Sequence, residues 1–337
     1  MRFVKKLNHV FNDIMENNPQ VYMIGEDISD PYGGAFKVTK GLSTQFPDRI
    51  VSTPISEPSI VGMGIGMAMR GLKPIVEIMF GDFLALTFDQ LLNSATKFKY
   101  MYDNKVGVPI IIRTPMGGGR GYGPTHSQSI EKFFLGIPGL KTVALSHFFD
   151  LSKLMNHIVN NENDPILIVE HKLLYPEEII NIEKGLIDYF SFNTTYYNNY
   201  PVVEMTLTPL NECDITVLAY GYTAKIVKDT VYQLMIDDEI SCNIIIPSLL
   251  SPFDFEILQK SIEATGRLVI VEEGTMTCGF GSEIAAVSQE LFYDYLKSPV
   301  KRIASTGQII PSAKHLESEV LISGDMIQKV IKELLMY

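Results

Sequence analysis

Residues 108–113, with the sequence VPIIIR, form a short and nearly continuous apolar run. Similar runs recur through the first half of the chain, at 21–25, 74–78, 141–145 and 166–169. Longer segments with helical spacing of apolar residues separate them. Strands buried on both faces read as continuous apolar runs because neither face meets water. The pattern therefore predicts an α/β fold in which helices cover both faces of a parallel sheet.

The same alternation begins again in the second half of the chain. Strand candidates lie at 215–220, 243–246, 267–271 and 300–304, and helical spacing is present at 282–296 and 325–335. Between the two halves, residues 176–211 are rich in Asn, Tyr, Thr and Pro and poor in long apolar runs, which is typical of a linker. We therefore expect two successive domains with mainly parallel sheets, at residues 1–175 and, smaller, at 212–337.

Composition limits the partners of the chain. Its 337 residues include 28 basic and 39 acidic side chains, a formal net charge of −11, which disfavours nucleic acid and anionic membranes as partners. The longest nearly apolar stretch, residues 61–69, contains three glycines and is less than half the roughly 20 residues that a membrane-spanning helix needs. The N-terminal segment has the spacing of an amphipathic helix and lacks the apolar core of a signal peptide. We expect a cytoplasmic protein.

Cysteine and histidine spacing argues against a transition-metal enzyme. The three cysteines, Cys213, Cys242 and Cys278, are far apart and contain no C-x-x-C pair. The six histidines show no H-E-x-x-H spacing and no local cluster of ligand-type residues. Neither a disulfide framework nor a structural zinc site is expected.

Three glycine patterns could suggest phosphate binding. The glycines at 62, 64 and 66 lie inside a helical run, where close helix packing is the better interpretation than a dinucleotide fingerprint. The glycine-rich stretch 117–123 follows a strand but lacks the Gly-Lys-Ser/Thr ending of a P-loop. The two glycines at 33–34 are explained by the preference of glycine for tight turns. A nucleoside-triphosphate site is therefore not predicted.

Polar and aromatic side chains follow successive predicted strands of the first domain. Glu26 ends the first predicted strand, Glu57 precedes a helix, Phe83 follows the next predicted strand, and His126 follows the glycine-rich stretch. Each has an ordinary structural interpretation: a solvated strand end, a helix cap, a core aromatic and a structural histidine. Because the carboxyl ends of parallel strands meet at one edge, we expect the four to converge on a ligand site.

The sequence around these positions resembles a known family. Its motifs are GED at 25–27, TPISE at 53–57, DQ at 89–90, GPTHSQ at 123–128 and IPGL at 137–140, with RLVIVEEG at 267–274 and GFGSEIA at 279–285. They resemble the beta subunit of the thiamine-diphosphate-dependent first component of 2-oxo-acid dehydrogenase complexes. The resemblance covers nearly the whole chain and implies a transketolase-like pyrimidine-binding domain followed by a smaller transketolase C-terminal domain.

The resemblance also implies roles for individual residues. Glu57 matches the glutamate that faces a nitrogen of the cofactor's aminopyrimidine and shares a proton with it. Phe83 matches the aromatic ring beside the pyrimidine, and Glu26 matches an acidic residue of a network between sites. His126 matches a loop histidine near the substrate carboxylate and the acyl transfer.

A monovalent cation, potassium, is a further expectation from the resemblance. The matching positions are Ile110, Val159, Asn160, Glu162 and Asp164, which would bind it chiefly through backbone oxygens. The chain departs from the family here, with Asn and Glu in place of commoner residues.

The implied assembly contains two alpha and two beta chains, with the cofactor between unlike subunits. The chain has no Gly-Asp-Gly motif of the kind with which family alpha subunits hold magnesium and the diphosphate. The implied reaction is decarboxylation of a small 2-oxo acid, with the acyl group passed to a lipoyl or similar carrier on an acyltransferase core. Two alternatives stay open: a stand-alone thiamine-diphosphate enzyme that makes acyloins or transfers ketol units, and a noncatalytic assembly scaffold.

Overall fold

The computed structural model describes residues 1–182 and 186–337. The chain divides into two compact units, the first formed by residues 1–117 and 133–179 and the second by residues 118–132 and 180–337. The glycine-rich loop that carries His126 therefore belongs to the second unit, although its sequence position lies inside the first predicted domain.

Six parallel strands make the sheet of the first unit, in the order β5-β6-β4-β3-β1-β2. The strands are β1 (Val21–Glu26), β2 (Ile50–Thr53), β3 (Lys73–Glu77), β4 (Ile111–Met116), β5 (Lys141–Ala144) and β6 (Ile166–His171). Every residue of β3, β4 and β6 is buried, which agrees with the continuous apolar runs that predicted them.

Helices accompany these strands. They are α1 (Phe3–Asn17), α2 (Leu42–Gln45), α3 (Glu57–Met69), α4 (Phe98–Met101) and α5 (Leu151–Asn161), with a π-helical turn at Gln90–Ala95 and short 3-10 helices at Gly81–Thr87 and Lys172–Leu174. The α1 helix buries one apolar stripe that starts at Phe3 and Leu7. Asp150 caps α5 by accepting hydrogen bonds from two backbone N–H groups of its first turn.

The glycines of α3 do not all have the same role. A Cβ atom at Gly64 would lie 2.8 Å from both Ile110 Cδ1 and Val76 Cγ2, so glycine permits close packing of the helix there. A Cβ atom at Gly62 or Gly66 would meet nothing within 4 Å. The close packing predicted for this glycine run is therefore present at Gly64.

The second unit contains a mixed sheet in the order β14-β13-β10-β11-β9-β8-β7. Strands β10, β11, β13 and β14 pair in parallel, and β7, β8 and β9 are antiparallel. Its strands are β7 (Leu186–Ile187), β8 (Phe190–Tyr197), β9 (Tyr200–Thr206), β10 (Ile215–Ala219), β11 (Cys242–Pro247), β13 (Leu268–Thr275) and β14 (Lys301–Ser305). A further short strand of this unit, β12 (Leu249–Ser251), is not part of this mixed sheet. Its helices are α6 (Thr223–Asp238), α7 (Glu256–Thr265), α8 (Phe280–Phe292), α9 (Lys314–Val320) and α10 (Gly324–Leu334).

Where a linker was expected, at 176–211, the chain forms β7, β8 and β9. Strands β8 and β9 are joined by Asn198 and Asn199, both with positive φ, the geometry of a two-residue hairpin turn. Residues of β9 are mostly buried, whereas the polar residues of β8 are largely half-buried or exposed. The polar composition of this hairpin reflects its place at the edge of the sheet. Residues 183–185 of the expected linker lie outside the described residues.

None of the helices in the described parts of the chain combines the length and the apolar character needed to span a bilayer.

Candidate active site

The first sheet has a point at which its strand order reverses. Strand β1 lies between β2 and β3, so the chain extends the sheet first to one side and then to the other. Glu26 ends β1 beside Thr53 of β2, and Gly25 is in register with Glu77, which ends β3. Open parallel sheets bind ligands outside the carboxyl ends of their strands at such a point. The fold thus brings Glu26 and Glu77 together at a candidate binding crevice.

Glu26 is a buried carboxyl group in an acidic environment. It is 5 % exposed, and none of the described groups hydrogen-bonds to its Oε1. Burial raises its pKa to about 7, and the nearby carboxylates of Glu57, Asp27 and Glu77 act in the same direction. Glu26 can therefore hold a proton near neutral pH.

Glu57 is the first residue of α3 and is also 5 % exposed. The side chain of Ser56, which precedes it, does not cap the helix and instead donates to Ser59 Oγ at 2.8 Å. An acidic side chain in a first helical turn is favoured by the helix dipole. Its electrostatic effect on Glu26 shows that the structure brings these two predicted residues together.

Phe83 lies on the 3-10 helix that follows β3 and is half-buried. Its ring meets Phe80 edge to face, with centroids 6.3 Å apart, and Phe80 meets Phe36 in the same way at 5.8 Å. Phe83 is therefore a half-buried member of an aromatic cluster near the carboxyl end of β3.

A buried ionic cluster behind Glu26 was not predicted from the sequence. Arg113 of β4 donates to both carboxylate oxygens of Glu170, at 2.8 and 2.6 Å, and also to Glu77. Tyr175 donates its hydroxyl to Glu170 at 2.7 Å. Burial raises the pKa of Glu77 and Arg113 opposes the rise. The available signal was a charged residue inside, at the end of or directly after each of three apolar runs, since such a charge needs a partner when it is buried.

His126 lies on the loop 118–132 of the second unit and is half-buried. Its Nδ1 is 3.0 Å from Thr125 Oγ1, and its backbone N–H donates to Gly123 O at 3.3 Å. The glycines at 119, 121 and 123 have φ of 84°, 70° and 82°, so every second residue adopts the left-handed conformation that side chains disfavour. This backbone, and not phosphate binding, accounts for the glycines in the loop.

Two glutamates hold this loop in place. Glu317 of α9 accepts the N–H groups of Gly119 and Gly121 at 2.9 and 2.8 Å. Glu273 of β13 accepts the N–H of Gly118 and the hydroxyl of Ser129, both at 2.9 Å. Charge-assisted hydrogen bonds of this kind are stronger than neutral ones. Both ends of the His126 loop are therefore fixed by buried carboxylates.

Four of the five positions expected to hold potassium have other partners. The backbone oxygens of Val159 and Glu162 accept the ammonium group of Lys73, the second at 2.7 Å. The Glu162 carboxylate accepts Lys141 Nζ at 2.5 Å, and the Asp164 carboxylate accepts Lys99 Nζ at 2.6 Å.

The two remaining positions are Ile110 and Asn160. Ile110 O accepts the N–H of Ile166 at 3.0 Å, and Asn160 is exposed. The residues present do not fit a potassium ion. Over the described ranges, no group of three or more His, Cys, Asp or Glu side chains is arranged to hold a metal.

Comparison with protein families defines the class of the chain. A model described as the transketolase pyrimidine-binding domain matches residues 1–178, and one described as the transketolase C-terminal domain matches residues 206–327. A solved structure described as a split gene transketolase, inactive beta4 tetramer, aligns with a TM-score of 0.74 over 100% of this chain and 99% of that one. At 16% identity it shows the fold alone. The class is that of two-domain, transketolase-like proteins.

Curated relatives are similar over almost the whole chain. The pyruvate dehydrogenase E1 component subunit beta of Gracilaria tenuistipitata var. liui is 35% identical, covering 97% of each chain. The 2-oxoisovalerate dehydrogenase subunit beta of Bacillus subtilis is 32% identical, over 99% of this chain and 98% of the relative. The acetoin:2,6-dichlorophenolindophenol oxidoreductase subunit beta of the same organism is 33% identical, over 98% and 95%. The chain belongs to the family of beta subunits of the thiamine-diphosphate-dependent first component of 2-oxo-acid dehydrogenases.

Proposed function

We propose that this chain, together with an alpha subunit, decarboxylates a small 2-oxo acid on thiamine diphosphate and passes the acyl group to a lipoyl or similar carrier. The observation that carries the proposal is the pair of buried carboxyl groups, Glu26 and Glu57, at the point where the strand order of the first sheet reverses. Such a pair is costly to bury, and its place in the fold is where a ligand would use it.

The residues of this crevice fit the aminopyrimidine half of the cofactor. Glu57 supplies a carboxylate for a ring nitrogen, Phe83 an aromatic surface beside the ring, and the Oε1 of Glu26 an acceptor or donor with no described partner. When bound, thiamine diphosphate supplies the nucleophilic thiazolium carbon that attacks the 2-oxo group.

Glu57 is assigned the proton transfer. Its carboxylate lies in the first turn of α3, where it can accept a hydrogen bond from a protonated ring nitrogen or take up its proton. Burial raises the pKa of Glu26 to about 7, so this group can hold a proton beside Glu57 near neutral pH.

His126 is assigned to the substrate carboxylate and the acyl transfer. An imidazole can change charge near neutral pH, so it can bind an anionic group or move a proton during the transfer. The carboxylates of Glu273 and Glu317 fix the loop from which it projects. A fixed backbone reduces the conformational freedom that the imidazole would lose on meeting the substrate.

The rest of the site is assigned to the alpha partner. Magnesium and the diphosphate would be held mainly by that chain, in an assembly of two alpha and two beta subunits, because the motif for them does not occur in this sequence. A lipoyl-bearing acyltransferase core is the proposed acceptor, and the cytoplasm is the proposed location.

Glu57→Gln tests the assignment in the assembled alpha–beta complex. Loss of acid–base catalysis by this residue should cut turnover by about 10²–10⁴-fold while assembly persists. Glu16→Gln, an exposed glutamate of α1, is the matched control and should keep full turnover. Unchanged turnover in Glu57→Gln would falsify the assignment.

His126→Ala tests the second role. We expect it to impair substrate use and acyl transfer more than cofactor retention, measured by steady-state kinetics and by calorimetry on the same complex. Equal loss of both would remove the role given to His126.

Product analysis with and without a lipoyl acceptor separates the proposed function from acyloin or ketol transfer.

A further inference from the structure

The side chain of Lys73 crosses from the first sheet to the end of a helix. Lys73 is the first residue of β3 and is 8 % exposed. Its ammonium group donates to the backbone oxygens of Val159, in the last turn of α5, and of Glu162, the residue that caps α5. The buried lysine at the start of β3 is thus accounted for by two carbonyl groups.

The end of α5 requires a positive charge. The last carbonyl groups of a helix have no partner within the helix, and they carry the negative end of its dipole. Burying such carbonyls beside a sheet is unfavourable unless a donor or a cation meets them. Either an ammonium group or a potassium ion can do so, because both are monovalent and both bind carbonyl oxygens.

We infer that the ammonium group of Lys73 occupies the place of a monovalent cation, so that this subunit is stable without potassium. Two of the five positions at which the family resemblance puts the ion give their backbone oxygens to Lys73.

The acidic side chains at that place are neutralised in the same way. Lys141 pairs with the Glu162 carboxylate at 2.5 Å, and Lys99 pairs with Asp164 at 2.6 Å. Three tethered ammonium groups thus supply the positive charge around the end of α5. A further cation would be repelled by them and would find two of the carbonyl ligands already bound.

The inference makes a prediction about the vacated site. Removing the Lys73 side chain beyond Cβ uncovers the two carbonyl oxygens and leaves space that a monovalent cation can enter. Lys73→Ala is therefore expected to create a cation requirement that the natural sequence does not have. Lys73→Met keeps most of the side-chain volume without the charge, so it should be destabilised but should not respond to cations.

The test is thermal unfolding of the full chain in chlorides of potassium, rubidium, ammonium and choline at equal ionic strength. The natural sequence should have the same Tm in all four. Lys73→Ala should have a lower Tm in choline chloride and regain most of the loss, saturably, in the three small cations. Lys5→Ala, an exposed lysine of α1, is the control for a general effect of removing a positive charge.

Two results would overturn the inference. One is a saturable rise in the Tm of the natural sequence with potassium, which can be measured even if Lys73→Ala does not fold. The other is a folded Lys73→Ala whose Tm is the same in all four salts. Since the readout is stability, neither result depends on the reaction proposed above.

Discussion

At the scale of the residue, Glu26 shows how a position in the fold changes the chemistry of a side chain. A carboxyl group removed from water and surrounded by other carboxyls holds its proton to a higher pH. Burial is the main reason that the pKa of Glu26 is about 7, followed by the charges of Glu57, Asp27 and Glu77. Glu272, in the second unit, has a pKa raised to about 7 by the same cause, burial.

Glu26 gives the protein a measurable pH dependence. Between its ordinary pKa of 4.5 and about 7, the folded state binds more protons at Glu26 than the unfolded state. The free energy of unfolding therefore falls as pH rises through this window and becomes level above it. Glu26→Gln should remove part of this decrease in the free energy of unfolding. The stability of the variant relative to the natural sequence should therefore increase from pH 5 to pH 8. Denaturant unfolding at several pH values measures this.

Glu272→Gln is the matched comparison. Glu272 lies in the second unit and also has a raised pKa, so this variant should likewise reduce the decrease in the free energy of unfolding. Parallel curves of unfolding free energy against pH for Glu26→Gln and the natural sequence, from pH 5 to 8, would contradict this prediction. They would show that Glu26 ionises in the folded protein as it does in the unfolded chain.

At the scale of the element, the loop 118–132 depends on a helix distant in sequence. Glu317 of α9 binds two backbone N–H groups of the loop that flank Arg120. Arg120 is exposed, so its peptide bond would be a trypsin site if the backbone could leave its present conformation. The carboxylate of Glu317 opposes that movement.

Glu317→Gln should loosen the loop. The amide retains one acceptor oxygen but turns a donor toward an N–H group, so one of the two hydrogen bonds is lost and the other is no longer charge-assisted. We expect trypsin to cleave after Arg120 at least several times faster than in the natural sequence, as followed by mass spectrometry. Turnover in the alpha–beta complex should fall as well, with the larger effect on KM for the 2-oxo acid.

The control lies on the same helix. Glu319 of α9 is exposed, and Glu319→Gln should leave both cleavage and kinetics unchanged. Equal cleavage rates in Glu317→Gln and the natural sequence would show that the loop is held by other contacts.

At the scale of the whole molecule, the proposed site contains groups for one half of its cofactor. The candidate residues of the first unit suit the aminopyrimidine, whereas the motif for magnesium and diphosphate is absent from the sequence. In the proposed function, the other half of the site belongs to an alpha partner.

The purified chain alone should therefore bind thiamine diphosphate and magnesium weakly and should not decarboxylate 2-oxo acids. An obligate interface, commonly above about 2,000 Å² in total, is expected to complete the site. Isothermal titration calorimetry of the chain with and without its alpha subunit measures the difference. Tight, magnesium-dependent binding by the chain alone would contradict this division of the site.

The strand pattern was accessible from the sequence because it is local. Apolar runs such as 21–25 and 166–169 predicted β1 and β6, since a strand covered on both faces must be apolar on both faces. The β8–β9 hairpin was missed because its polar side chains resemble a linker, although the Asn198–Asn199 pair was an available turn signal. The place of residues 118–132 in the second unit had no local signal, because it depends on contacts with Glu273 and Glu317.

The sequence by itself determined most of the parallel strands, the family and the residue types from which a site could be built, since each depends on short-range pattern. Only the tertiary structure decided the partners of those residues: Glu26 beside Glu57, Arg113 between two carboxylates, and Lys73 on the carbonyls of α5. The physical reason is that burial and electrostatic interaction depend on distance in space. That distance is set by the packing of strands and helices far apart in the chain.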